Sequence, residues 1–423
     1  MDFKKKLSFW QCVAIGLGNI VGAGIFVMAG AAINSAGPGA LVAFGITAAL
    51  AVSVGLNSAE LSSSFPQVEG GVYSFAKATL GETIGFLVGW FRLISYAVSG
   101  AAVALGFSAY IVSIGFSSLL YLPLSALLIL ILSYVEVKGL RLASEAEEAL
   151  VVINVVGLGL FVATVLMLGR YSLAKFYPVF PNGATGVLEA AAIAFFAYSG
   201  FNTIATLTPD VQNGEKTVPR AIIFSLVAST VLYVLVVYSM LYALNWKAYG
   251  EVSNPLSLAL SSLNASHPIS LAVTFSAVTA TLTVTLSLII AGSRTAKQMG
   301  EDGLLPHFLG KGSKIPTLIV ATIMISSLFL GNVKSIALVA NFGVIFSYML
   351  SGIEVAITRK KGIRGGFVSP WYPFTQIFSV ILSAVMLLTL GFQSLIIGTI
   401  TLVVGLVVHS LQKQLSSSNL GYE

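Results

Sequence analysis

The residues with chemistry to offer in this chain are main-chain groups more than charged side chains. "GNIVGAGIF" at 18–26 places Gly18, Asn19, Gly22 and Gly24 inside an apolar run. Each glycine disfavours a helix interior by about 1 kcal/mol relative to alanine, so the helix is expected to break there. A second stretch, "FFAYSGFN" at 195–202, sets Ser199, Gly200 and Asn202 behind aromatic bulk. Backbone released from a helix in hydrocarbon survives only where something polar meets it. The amides that open the segment after "GAG" carry the positive end of a helix dipole, about +0.5 charge, and suit a carboxylate. Carbonyls exposed on the other side of the breaks suit an ammonium group. Together the two breaks accept both ends of a zwitterion without a charged side chain. The same glycines also fit close helix packing, Gly18 and Gly22 as a small-xxx-small pair, or a hinge. Corresponding interruptions in two halves of a chain favour a solute site.

The elements that must position these groups follow from composition. The chain has 423 residues, 57% hydrophobic and 9% charged, with mean hydropathy +0.94. Soluble domains carry about 25% charged residues, so this chain cannot cover a water-facing surface. Apolar stretches of about 20 residues make it a helical membrane protein and not a barrel. The single cysteine, Cys12, excludes an intramolecular disulfide framework. Lys4, Lys5 and Lys6 before an apolar run imitate a signal peptide, but Gln11 and Asn19 lie inside it and it reads as a retained first span.

Hydropathy and turn residues predict twelve spans, at 8–33, 39–64, 82–113, 119–137, 145–169, 187–209, 218–244, 268–298, 315–331, 333–358, 371–390 and 392–411. All belong to one membrane domain, 1–423. Of the 22 Lys and Arg, 17 fall in the tails, in the even-numbered gaps or, for Arg220, Arg294 and Lys297, at the span ends bordering those gaps. The odd-numbered gaps hold Arg170, Lys175, Lys247 and Lys334, and Arg92 lies within a span. That asymmetry puts both termini in the cytoplasm. Between spans 7 and 8, "PLSLALSSL" is too short to cross and is expected to form a surface or loop helix.

With these residues in view, the chain resembles the amino acid–polyamine–organocation (APC) superfamily. "GNIVGAGIF" is similar to its helix 1 signature and "FFAYSGFN" to its helix 6 signature. "SAELSSSFPQVEGGVYSFAKATLGETIGFLVGW" at 58–90 resembles its stretch between helices 2 and 3. "VPRAI" at 218–222 and "SRTAKQMGEDGLLP" at 293–306 resemble its helix 7 entry and the loop after helix 8. The resemblance implies an all-α protein of LeuT-like fold: two inverted five-helix repeats, about 8–169 and 187–358, with helices 1 and 6 broken. Two peripheral helices follow at about 371–411. It implies a secondary active transporter of amino acids in the cytoplasmic membrane, working by alternating access as a symporter or exchanger.

Carried over by residue, the resemblance implies a carboxylate site on the amides of Ala23 and Gly24, with Gly22 allowing approach. It implies an ammonium site on the carbonyls of Ile20, Phe196 and Ser199, with the Phe196 ring capping the substrate. Asn202 stands where some relatives carry an acidic gating or coupling residue. Proton-coupled prokaryotic members place a lysine in helix 5 beside the helix 1 break, and Asn154 aligns there. Asparagine carries no proton, so a lysine-based mechanism is not supported. Exchange, uniport or coupling through another group stay open, and Asn154 either bridges helices 1 and 5 or packs.

Charged residues inside spans need partners. Arg92 is expected to form a structural or gating ion pair with Glu60 or another carboxylate. Glu354 is expected to reach the interface near "RKK", and Asp210 to pair with Arg220 or Arg294. Thr281, Thr283, Thr285 and Ser287 offer oxygens for sodium, or simply bond back to their own helix. No Ser–His–Asp set, HExxH or nucleotide loop points to an enzyme, and no cofactor, metal or nucleic acid is expected. The expected partners are an amino acid, lipid, and a proton or counter-transported amino acid. With no acidic or spare basic side chain at the pocket, neutral or apolar substrates are favoured. A permease for another small amine or nucleobase, or a non-transporting nutrient sensor, are the alternatives.

Overall fold

The computed structural model describes residues 6–65, 71–139, 144–205, 208–250 and 252–419. Among them the chain is helical, and strand pairing is limited to one isolated bridge between Leu7 and Val211. The first helix, α1 (Phe9–Ile20), opens with a capping box: Ser8 Oγ accepts from the Gln11 amide and Gln11 Oε1 from the Ser8 amide. It stops after 12 residues, and α2 (Ala23–Ala36) resumes beyond Val21 and Gly22. Gly37 then takes φ 61°, a turn that glycine alone enters cheaply, and α3 (Ala40–Ser64) follows.

A nine-residue helix, α4 (Val72–Leu80), precedes the long α5 (Glu82–Ser113), α6 (Tyr121–Val137) and α7 (Ser144–Leu168). The second half begins with α8 (Gly183–Tyr198), a 3₁₀ turn at Ser199–Phe201 and the four-residue α9 (Asn202–Ala205). There follow α10 (Gly214–Ala243), α11 (Pro255–Ser262), α12 (His267–Glu301), α13 (Lys314–Ser327) and α14 (Val333–Lys360). The chain closes with α15 (Phe374–Leu388) and α16 (Phe392–Asn419).

Among the described residues nine stretches are long and apolar enough to cross a bilayer, which makes the chain a multi-pass membrane protein. Of the twelve expected spans, 8–33 is divided between the short α1, of 12 residues, and α2, while 315–331 and 371–390 fall on the shorter apolar helices α13 and α15, of 14 and 15 residues. Helix α1 is short because the helix breaks at Val21–Gly22, as "GNIVGAGIF" required. The apolar loop segment forms α11, which buries Leu256, Ala259 and Leu260 and seats Pro255 against Gly30 of α2.

The packing follows a regular scheme. Helix α2 lies along α8, α3 along α10, and α5 along α12. Helix α1 lies against α10 as α3 does against α8; α12 packs on α7 as α5 does on α14. The core at their centre is built from small and aromatic side chains, with Phe26, Phe44, Phe195, Tyr198 and Tyr233 fully buried.

Candidate substrate site at the two broken helices

The two interruptions meet. Position 200 has no room for a Cβ, which would overlap the carbonyl oxygen of Asn19, so only glycine lets the α8–α9 turn back onto the end of α1. Position 24 is equally tight: a side chain there would drive into the Ala197 backbone. The packing reading of these glycines therefore holds, and the close approach brings main-chain groups of the two breaks together. Ala23 and Gly24 head α2, and their amides have no carbonyl within that helix to donate to. Gly22, with φ −117° and ψ −151°, sits against Val284 of α12.

The expected acceptor carbonyls are present at the breaks, but they are engaged. Tyr233 of α10 directs its hydroxyl to the Ile20 carbonyl at 2.5 Å, with the Ala197 carbonyl as its alternative acceptor at 3.1 Å. The Phe196 carbonyl accepts the Ser199 hydroxyl at 3.0 Å. Tyr348 of α14 donates to the Ser199 carbonyl at 3.1 Å. Tyrosine hydroxyls from two further helices thus hold the interrupted backbone. Neither residue was singled out in the sequence; the available signal was a tyrosine in the middle of an apolar span.

Accessibility is lopsided. Gly18, Asn19, Ser199 and Gly200 are half-buried, whereas every residue from Ile20 through Ile33 is buried. The breaks are thus reachable from the α1 side and sealed along α2. Phe196 is buried at the end of α8. Asn202 begins α9, and its side chain lies outside the described residues.

Three expected contacts take a different form. Asn154 does not bridge to α1: with its amide oriented to satisfy both atoms, it donates to the Ser276 carbonyl (3.1 Å) and to Thr279 Oγ1 (3.0 Å), both on α12. The α7 residue against Gly18 is Val151, one turn away and apolar. Arg92 does not pair with Glu60; its Nη2 donates to the Tyr96 hydroxyl at 2.7 Å and its guanidinium stacks at 4.6 Å over Tyr96 and 5.3 Å over Tyr348. Through Tyr348, Arg92 reaches the α8 break without a carboxylate. Glu60 instead takes Arg359 of α14 at 2.7 Å, along with the amide and hydroxyl of Ser369.

Two smaller expectations also change. Glu354 does not reach an interface but is fully buried, and Asp210 makes no ion pair with Arg220 or Arg294 among the described residues. The hydroxyls of Thr281, Thr283 and Thr285 donate to carbonyls one turn back in α12. A cavity of about 690 Å³ between α3, α10 and Trp371–Phe378 offers little for a zwitterion. Its Ser53, Thr230 and Thr375 hydroxyls are all turned to main-chain carbonyls.

A multi-pass helical protein whose interrupted helices pack break to break belongs to the class of solute permeases. More narrowly, the chain belongs to the amino acid permease family, whose pattern it matches over residues 7–412. It is 28% identical to the branched-chain amino acid permease BcaP of Bacillus subtilis, the match covering 97% of this chain and 93% of the relative. It is also 28% identical to the methylthioribose transporter of the same organism, over 89% of this chain and 86% of the relative. The vacuolar cationic amino acid transporter 4 of Arabidopsis thaliana is 28% identical over 84% of this chain and 63% of its own length. The family consists of transporters, so this chain is not an enzyme.

Proposed function

We propose that this chain is a secondary transporter that carries neutral or apolar amino acids across the cytoplasmic membrane by alternating access. The observation that carries the reading is the meeting of the two breaks, with the Ala23 and Gly24 amides on one side and the Ile20, Phe196 and Ser199 carbonyls on the other. A substrate carboxylate takes the amides. Its ammonium competes with the Tyr233 and Tyr348 hydroxyls for the carbonyls. One-sided accessibility supports an inward-reachable state, with both termini on the cytoplasmic side.

In this reading the fold is LeuT-like, with twelve crossings in two inverted repeats. Support comes from the helix pairings. Exchanging α1–α2 with α8–α9, α3 with α10, α5 with α12, α6 with α13 and α7 with α14 leaves the scheme unchanged: α6 on α12 becomes α13 on α5, and both occur. The bacterial BcaP relatives favour branched-chain amino acids as the first substrates to try. The methylthioribose transporter among the relatives favours one second reading, a permease for another small polar solute.

Reconstitution in liposomes loaded with unlabelled amino acid tests the proposal. Saturable uptake of labelled leucine, isoleucine or valine is expected. Failure of all twenty amino acids, with uptake of methylthioribose or another small solute, would replace the proposal by the second reading.

A further inference from the structure

Among the described residues Glu354 is the one buried carboxylate that neither the transport site nor an ion pair accounts for. It lies six residues before the end of α14, about 9 Å along the helix axis from Lys360. Its side chain is 0% exposed, and neither carboxylate oxygen has a hydrogen-bond partner. Eleven residues separate it from Gly343, three helical turns, so both sit on the α14 face that meets Phe91 and Ser95 of α5. The neighbouring Val355 packs into an apolar cluster with Leu61 of α3 and Phe75 of α4.

Among the described residues no cation is at hand to neutralise it. Helices α3, α4, α5, α8, α15 and α16 pack on α14, with a smaller contact from α2. On α3, Glu60 takes Arg359. On α4, Lys77 and Tyr73 are both committed to Asp302. On α5, Arg92 lies against Tyr96 and Tyr348, Tyr110 donates to the Phe26 carbonyl, and Glu82 is exposed. On α8, Glu189 holds Lys334, and Tyr198 lies edge-on to Tyr233. On α16, His409 sits with Thr83 and Lys413 is exposed. Neither α15 nor α2 has an ionisable side chain. An unpaired carboxylate in such surroundings is strongly disfavoured, and the neutral acid far less so.

We infer that Glu354 is a proton-binding site, neutral in this packed conformation, whose proton leaves when α14 shifts against α4 and α5. The consequence for transport rests on the reading above. Tyr348, six residues earlier on α14, donates to the Ser199 carbonyl at the α8 break. Displacement of α14 therefore changes the substrate site and the surroundings of Glu354 together, so proton and solute movements are coupled. This supplies a titratable group that Asn154 and Val151 on α7 do not.

Two measurements on the full chain test it. Infrared spectra of the purified protein at neutral pH are expected to contain a protonated-carboxyl C=O band that Glu354→Gln removes. A spectrum of Glu354→Gln identical to the parent overturns the inference. Should the variant not be obtained in folded form, the parent alone decides: the band must persist above the pH at which exposed glutamates ionise, and its absence there overturns the inference. In proteoliposomes, Glu354→Gln is expected to lose accumulation driven by a proton gradient. Equal gradient-driven accumulation by variant and parent overturns the coupling. If the parent transports no amino acid, the transport reading fails while the infrared result still decides the proton site.

Discussion

Two buried polar regions of this protein satisfy their groups in different ways. At the breaks of α1 and α8, the groups are neutral and belong to the main chain. Each acceptor carbonyl is met by one hydroxyl, and the Tyr233 hydroxyl has two carbonyls within reach. At the junction of α3, α14 and α15, the groups are charged and over-determined. Arg359 donates through Nε and Nη2 to both oxygens of Glu60, and Ser369 adds its amide and hydroxyl. Gln376 links Ser369 to Asn57, which reaches Ser379. A single hydroxyl–carbonyl bond has a net worth of about 1 kcal/mol and can be exchanged for a ligand. A bidentate ion pair on a buried carboxylate cannot be opened at that cost. On the proposed reading, one region changes partners and the other keeps them.

The largest effect is expected from breaking the fixed region. Glu60→Ala leaves the partly buried Arg359 without its carboxylate and Ser369 without its acceptor, a loss of about 3 kcal/mol, read as a large drop in the thermal unfolding midpoint in detergent. Next comes Gly200→Ala, where the added methyl meets the Asn19 carbonyl. The backbone must move, at about 1–3 kcal/mol, and transport is expected to fall more than stability because the two breaks separate. Uptake that survives this substitution would mean the breaks do not act as one site.

Tyr233→Phe removes the exchangeable hydroxyl and leaves the Ile20 carbonyl with only the Gly22 amide (2.8 Å) as donor, costing about 1 kcal/mol. Substrate-induced thermal stabilisation is expected to grow, since the ammonium no longer competes with the Tyr233 hydroxyl. Unchanged stabilisation by substrate would separate Ile20 from the ammonium site. The smallest effect is electrostatic and lies outside both regions. Burial disfavours the Asp302 carboxylate, but hydrogen bonds from Lys77 and Tyr73 outweigh it and hold its pKa below the ordinary value. A depressed folded pKa stabilises above the unfolded value and is lost as pH falls through the folded one. Asp302→Asn is expected to remove that acid-side slope, a partly exposed contribution of about 0–1 kcal/mol.

The breaks themselves were readable because glycine and polar residues inside apolar runs violate helix propensity in a setting that punishes it. For Asn154 the sequence left a bridge to α1 and a packing role open, and the structure has the packing contact to α12; for Arg92 the need for a partner was legible, but the partners are tyrosines and not a carboxylate. A residue 2% exposed on α7 can face α1 or α12 according to a rotation of one turn, and the apolar sequence of α7 does not fix that rotation. Glu354 was misplaced for the same reason: proximity to "RKK" along the chain says nothing about which helix face is covered.

The sequence alone therefore determined the membrane class, the positions of the helices and their interruptions, since these rest on hydropathy and local backbone preference. The tertiary structure decided which groups meet: tyrosine hydroxyls on the broken ends, Arg359 on Glu60, Val151 against Gly18, and Glu354 left without a counter-charge. Those pairings depend on rotations and offsets between helices far apart in the chain. Van der Waals packing and hydrogen-bond completion set them, and no local pattern of residues records them.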